Sequence, residues 1–208
     1  GRREELKYFD DWALMVKKKL FQSTAILSRK KKGKTALVQR FYNILYSKDD
    51  PMLVPFYFKI KEGKLSKLSF SDIFYRSLVS QYFGFKLKKP EYINGILSYE
   101  ELIKMAETDE FIVKDIKRMK NIIEDNNSEW AWEQAREAGH RISSHKDIRI
   151  IQIIDEFQFL NKYIYTDNTY QQQIELASYY QATAESKVSP QIITGSYIGW
   201  LSSIIQKM

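Results

Sequence analysis

Apolar positions along the chain switch between a helical and an extended period. Residues 1–20 carry Leu6, Phe9, Trp12, Val16 and Leu20 on one stripe, which predicts an amphipathic helix. The apolar run Thr24-Ala25-Ile26-Leu27 predicts a strand. The stretch from Ala36-Leu37-Val38 through Phe41 and Leu45 predicts a helix reaching about residue 46. Asp49-Asp50-Pro51 breaks the chain, and 53–60 reads as a second strand whose Pro55 suits a strand start or a sheet edge. After a polar turn at Gly63, Ser69 is expected to cap a helix through about Phe83, ended by Gly84. From 90 to 144 the pattern is mostly helical, with pieces at 98–107, 110–123 and 129–141 and no convincing central strand. Trp130, Trp132, Arg136 and His140 in that stretch read as packing and surface residues.

β-branched residues then gather in Ile150-Ile151-Gln152-Ile153-Ile154, a run that predicts a strand buried on both faces, as in a parallel sheet. Residues 157–169 read as loop or short helix and 170–185 as helix. Pro190 introduces another buried strand at 191–196, and 197–207 reads as a closing helix. Strands near 24, 54, 150 and 191, separated by helices, predict an α/β fold with a parallel sheet and a helical insertion at about 85–147.

Polar residues at the strand ends add chemistry to this outline. Ser28-Arg29-Lys30-Lys31-Lys32-Gly33-Lys34-Thr35 follows the first strand and leads through Ala36 into a helix. Strand, tight loop, Gly-Lys-Thr, helix is a plan for cradling a nucleotide's phosphates. Backbone N–H groups face the anion, Lys34 neutralises charge, and the Thr35 hydroxyl reaches Mg²⁺. The full pattern has glycine where Ser28 stands, and the extra Cβ is expected to weaken binding without abolishing it. Asp155 and Glu156 end the strand at 150–154, on the edge where open α/β sheets bind ligands. Asp155 would hold the Mg²⁺ shell and Glu156 would polarise the attacking water. An acidic helix cap after a core strand is the alternative for both. Lys34, Asp155, Glu156, Thr194 and Ser196 follow three different strands, which argues for one site at the strand C-termini.

Composition bounds the rest. The chain has 208 residues, 44% hydrophobic and 14% aromatic, enough for one sizeable core or one domain with an insertion. The absence of cysteine excludes disulfides and thiolate chemistry and fits a cytoplasmic location. The charged start from Arg2 to Lys7 is unlike a signal peptide, and the longest apolar runs fall short of a membrane span, so no membrane partner is expected. The net charge of +7 is concentrated at Lys17-Lys18-Lys19 and from Arg29 to Lys34. Nucleic acid is one use for it. A solvated helix face and a phosphate-facing loop are the other, favoured because no zinc-finger spacing or helix-turn-helix signature is present.

Taken together, Gly1-Arg2-Arg3-Glu4-Glu5-Leu6, the loop 28–35, Ile153-Ile154-Asp155-Glu156-Phe157-Gln158 and Ile193-Thr194-Gly195-Ser196 resemble, in that order, the prokaryotic AAA+/STAND-like P-loop ATPases. The archaeal-type ATPase group, with a Walker B strand ending in Asp-Glu-Phe-Gln, is the specific likeness, and it spans 1–203. The resemblance implies a three-layer α/β/α P-loop NTPase core that binds ATP and Mg²⁺, with Walker A at 28–35 and the acidic strand as Walker B. It implies that the strand at 191–196 lies between those two strands. It makes Thr194 or Ser196 a γ-phosphate sensor, with strand-end capping as the alternative. Arg2 would lie near the adenine and ribose, an ordinary charged helix start being the alternative. A fifth strand and a helical lid are also implied beyond Met208. The C-terminal lid, its second sensor and any arginine finger are therefore expected to be missing from 1–208, and hydrolysis to be slow.

Three functions stand against one another. One is an ATPase or ATP-driven switch exchanging ATP for ADP, with an oligomer or effector domain as partner. Another is a basic nucleic-acid-binding module with a vestigial nucleotide site. A kinase-like phosphotransferase ranks last, because the Asp-Glu pair points to water activation.

Overall fold

The apolar runs at 24, 54, 150 and 191 become neighbouring strands of one sheet. The computed structural model describes residues 2–196, so the helix expected at 197–207 and the first residue of the N-terminal box lie outside the described residues. The strands are β1 (Thr24–Leu27), β2 (Leu53–Lys59), β3 (Leu65–Ser66), β4 (Arg149–Asp155), β5 (Ile164–Tyr165) and β6 (Gln191–Gly195). The helices are α1 (Arg3–Lys17), α2 (Lys34–Lys48), α3 (Lys67–Lys86), α4 (Glu91–Asn94), α5 (Tyr99–Met105), α6 (Glu110–Glu124), α7 (Ser128–Lys146) and α8 (Gln181–Ala184). The protein is α/β, with a four-stranded sheet in the order β1-β6-β4-β2 and every pair parallel. β6 therefore stands between β1 and β4, the order implied by the resemblance. All seven residues of β4 are buried, as its continuous apolar run requires. Pro55 is tolerated because β2 pairs only with β4 among the described residues, leaving the imide on an edge strand.

The described residues form two compact units, 2–62 with 139–162 and 175–196, and 63–138 with 163–174. In the first, α2 packs on β2 and β4, and its buried Phe41 lies 5.2 Å from the ring of Phe9 on α1. Gln152 interrupts the isoleucines of β4 for a reason. Its amide donates to Ser189 Oγ at 2.9 Å, and that hydroxyl donates to Ile150 O at 3.1 Å, tying the approach of β6 to β4. In the second unit Trp132 lies between Phe70 and Phe74, with ring centroids 5.3 and 5.8 Å away. Asp115, buried there, accepts from Tyr75 Oη at 2.8 Å and Gln134 Nε2 at 3.0 Å. Trp130 and His140 are exposed, whereas Trp132 and Arg136 are buried.

Local boundaries differ from expectation in several places. α1 stops at Lys17, Lys19 turns left-handed at φ 59°, and Leu20 is exposed, so it leaves the stripe of Phe9, Trp12 and Val16. Ser66, not Ser69, caps α3, accepting from the Ser69 N–H at 3.2 Å. α3 runs through Gly84 to Lys86. A Cβ on Gly84 would meet Ile93 Cγ1 at 3.0 Å, so this glycine serves close packing with α4 and does not end the helix. Tyr170 to Gln173 is not helical, because Gln173 bridges to Tyr165. The second half of the 170–185 segment is a 3₁₀ turn, Leu176–Tyr180, followed by α8. β3 and β5 form a two-stranded parallel sheet that the pattern does not predict. Among the described residues no helix is long and apolar enough to cross a membrane.

Candidate functional site

The C-terminal ends of β1, β4 and β6 carry the chemistry. β1 delivers the chain into the loop 28–33, where Lys31 and Gly33 take positive φ of 63° and 75° before α2 begins. The conformation of Gly33 needs a residue without Cβ strain, although space itself is ample, with Arg2 Nη2 at 3.5 Å as the nearest atom to an added Cβ. Lys34, the first residue of α2, folds back into the loop and is only 5% exposed. Its ammonium donates to Ser28 O at 2.7 Å and Arg29 O at 3.2 Å. Buried ammonium groups need such partners, and loop carbonyls supply them here.

Asp155 ends β4 fully buried. Its carboxylate accepts from donors on four segments. Thr35 Oγ1 at 2.8 Å and Tyr57 Oη at 3.1 Å reach Oδ2. The Thr194 hydroxyl and the Glu156 N–H, the latter at 3.2 Å, reach Oδ1. Glu156 itself is left-handed, φ 60° and ψ 43°, an unfavourable state for a non-glycine residue. Its N–H is held at 3.3 Å from Thr194 Oγ1 as well, so the two flanking oxygens fix the turn. The Glu156 carboxylate then accepts from Gln158 Nε2, and Gln158 Oε1 accepts from the Ser196 N–H at 3.3 Å.

These groups border a cleft of about 730 Å³. Its lining runs from Lys30 through Ala36, takes Gln39, Lys59, Lys61 and Glu62, and closes on Glu156 and Ser196. Six lysines face two glutamates there, which makes the cleft a place for an anion. Ser28 and Arg29 contribute carbonyls to Lys34 and do not line it. Thr194 is buried beneath the cleft and spends its hydroxyl on Asp155, whereas Ser196 reaches the wall. Arg2 stands beside the loop, donating to Lys32 O and pairing with Glu5 Oε1 at 3.7 Å. With Tyr8, Ile26 and Leu37 it borders a second cleft of about 460 Å³.

Tyr57 and Gln158 join the constellation without having been singled out from the sequence. Gln158 sits inside a motif quoted above, so its position was visible and its contact was not. Tyr57 comes from the edge strand, and nothing local marks it. Its hydroxyl ionises above the ordinary tyrosine range, first because it is buried and then because the charge of Asp155 opposes a second anion. Among the described residues no three His, Asp or Glu side chains cluster as a self-sufficient metal cage. Searches of protein-family models, curated proteins and solved structures each found no match to this chain.

Proposed function

We propose that the chain is the ATP-binding domain of an AAA+/STAND-like P-loop ATPase, a three-layer α/β/α core that binds Mg-ATP and hydrolyses it slowly. The observation that carries this is the 2.8 Å hydrogen bond from Thr35 Oγ1 to Asp155 Oδ2, joining the start of α2 to the end of β4 across 120 residues. A hydroxyl and a carboxylate brought together beside a lysine-rich cleft suit the metal. Mg²⁺ takes oxygen ligands, keeps several waters, and is commonly held by one or two protein oxygens together with substrate phosphates. Thr35 and Asp155 would supply those oxygens, the buried Asp155 through a water of the metal's shell. When bound, Mg²⁺ neutralises charge on the terminal phosphates.

The other roles follow from position. Lys34 exchanges its loop carbonyls for phosphate oxygens, and the N–H groups of Gly33, Lys34 and Thr35 donate at the helix start. The cleft beside Arg2, Tyr8 and Leu37 takes the base and ribose. Glu156 accepts a proton from water as the water oxygen bonds to the terminal phosphorus and the bond to the bridging oxygen breaks, releasing ADP and phosphate. Ser196 donates to the terminal phosphate from the wall, and Thr194 holds Asp155 in place. The described lining of the cleft contains no arginine. An arginine finger is worth roughly 10³ or more in rate, which is why slow turnover is proposed.

Equilibrium binding of ATP with and without Mg²⁺, followed by turnover on the same sample, tests this. The wild-type chain is expected to bind with Mg²⁺, Lys34→Ala to lose binding, and Glu156→Gln to retain ATP without turnover. Unchanged ATP affinity in the lysine variant overturns the proposal.

A further inference from the structure

The side chain of Gln158 is 3% exposed, close to the carboxylate proposed as general base, and has no part in the chemistry described so far. A buried primary amide has one accepting end and one donating end, and here each is used. Nε2 donates to Glu156 Oε2, and Oε1 accepts from the Ser196 N–H at 3.3 Å. The orientation is forced. Turned around, the amide would set oxygen against carboxylate and NH₂ against N–H. The backbone supports it as well. Gln158 belongs to the 3₁₀ turn Phe157–Asn161, whose Phe159 N–H donates to Glu156 O at 2.9 Å. Phe157 and Leu160, both fully buried, anchor that turn in the core, and the turn packs on β6.

We propose that Gln158 is the positioning residue for Glu156, holding the carboxylate in register with Ser196 so that the groups facing water and terminal phosphate move as one unit. Gln158 lies behind the cleft wall and acts only through its two neighbours, both of which line the cleft. Three segments thereby converge on one amide: the end of β4, the 3₁₀ turn and the end of β6. A glutamate that rotates freely in solvent loses the fixed approach to its proton that general-base catalysis needs. Leucine or methionine would fill the volume, but neither would bind the carboxylate or satisfy the Ser196 N–H.

The proposal rests on the ATPase reading, and its test separates the two. Gln158→Met keeps size and burial while removing both hydrogen bonds. In the nucleotide-free chain, amide exchange at Ser196 is expected to quicken about tenfold or more while the amides of β4 stay protected, in line with loss of one buried bond. This readout needs no turnover. In the loaded protein, Mg-ATP affinity and KM are expected to stay within twofold of wild type while kcat falls roughly 10- to 100-fold, the size of effect a misplaced catalytic group produces. If Gln158→Met does not fold, Gln158→Asn, one methylene shorter and able to reach one partner at most, carries the same measurements.

Unchanged exchange at Ser196, or kcat within twofold of wild type, overturns the role of Gln158. Failure of the wild-type chain to bind ATP at all overturns the ATPase reading instead.

Discussion

Asp155 is the residue on which the site turns. A carboxylate with no exposed surface is tolerable only when donors surround it, and here the four donors divide two to each oxygen. Asp155→Asn replaces one accepting oxygen with a donor facing other donors. It is expected to cost about 1–3 kcal/mol in urea unfolding and to remove the Mg²⁺ dependence of ATP binding. Tyr57→Phe deletes a single donor and is expected to cost about 1–2 kcal/mol. The Tyr57 hydroxyl ionises above the normal range, so its contribution is complete below about pH 10 and is lost as pH rises through the elevated value. Urea unfolding of wild type and Tyr57→Phe at rising alkaline pH checks the sign, because the difference between them should shrink. Ser28 presents the opposite case, a buried Oγ with no hydrogen-bond partner. Ser28→Ala is expected to leave stability unchanged or raise it by up to about 1 kcal/mol, and a clear loss would contradict that account.

At the scale of elements, two glycines show what a strand or helix pattern cannot express. Gly139 sits on α7 where an added Cβ would lie 2.6 Å from Ser189 Oγ and 2.7 Å from Gln152 Nε2. Gly139→Ala is therefore expected to break the buried Gln152–Ser189 bond and lower stability by about 2–3 kcal/mol in thermal or urea unfolding. Gly84 reads as a helix stop because glycine is poor in helices, yet its role is contact with Ile93, a residue nine positions on. The start of α3 has the same ambiguity. Leu65-Ser66-Lys67 and Leu68-Ser69-Phe70 offer near-equivalent caps, and in the structure Ser66, which also pairs with Tyr165 in the small sheet, takes the role. β3 and β5 are two residues each, too short for any period to be read. By contrast, Ser98 with Glu101 forms a full capping box at α5, and the helix expected from residue 98 begins there.

For the whole molecule the question is where the charge of +7 is used. Lys17 pairs with Asp50 at 2.6 Å and Lys19 with Asp147 at 3.4 Å, so part of the first basic cluster is spent within the first unit. The lysines of the cleft are arranged differently, gathered around one concavity. ATP affinity is therefore expected to fall as salt rises, and Lys59→Ala with Lys61→Ala to weaken it several-fold and flatten the salt dependence. Replacing Lys17, Lys18 and Lys19 is expected to leave ATP affinity unchanged. Salt-sensitive DNA binding that depends on those three lysines, with no ATP binding at any Mg²⁺ concentration, would instead favour the nucleic-acid module.

The four strands of the main sheet, the helix after the loop and the polar residues at the strand ends were legible in the amino-acid order. Each depends on neighbours a few positions away, and local period and turn chemistry carry that information. β1 falls at Thr24–Leu27 and β4 ends at Asp155 because an apolar run meets polar residues there. What only the tertiary structure decided is which of those ends meet. Thr35 and Tyr57 reach Asp155 across 120 and 98 residues, and Gln158 bridges to Ser196 across 38. No periodicity records such pairings. They arise from the order in which parallel strands are laid side by side, and from the need of a buried carboxylate and a buried amide to find every partner within hydrogen-bonding reach.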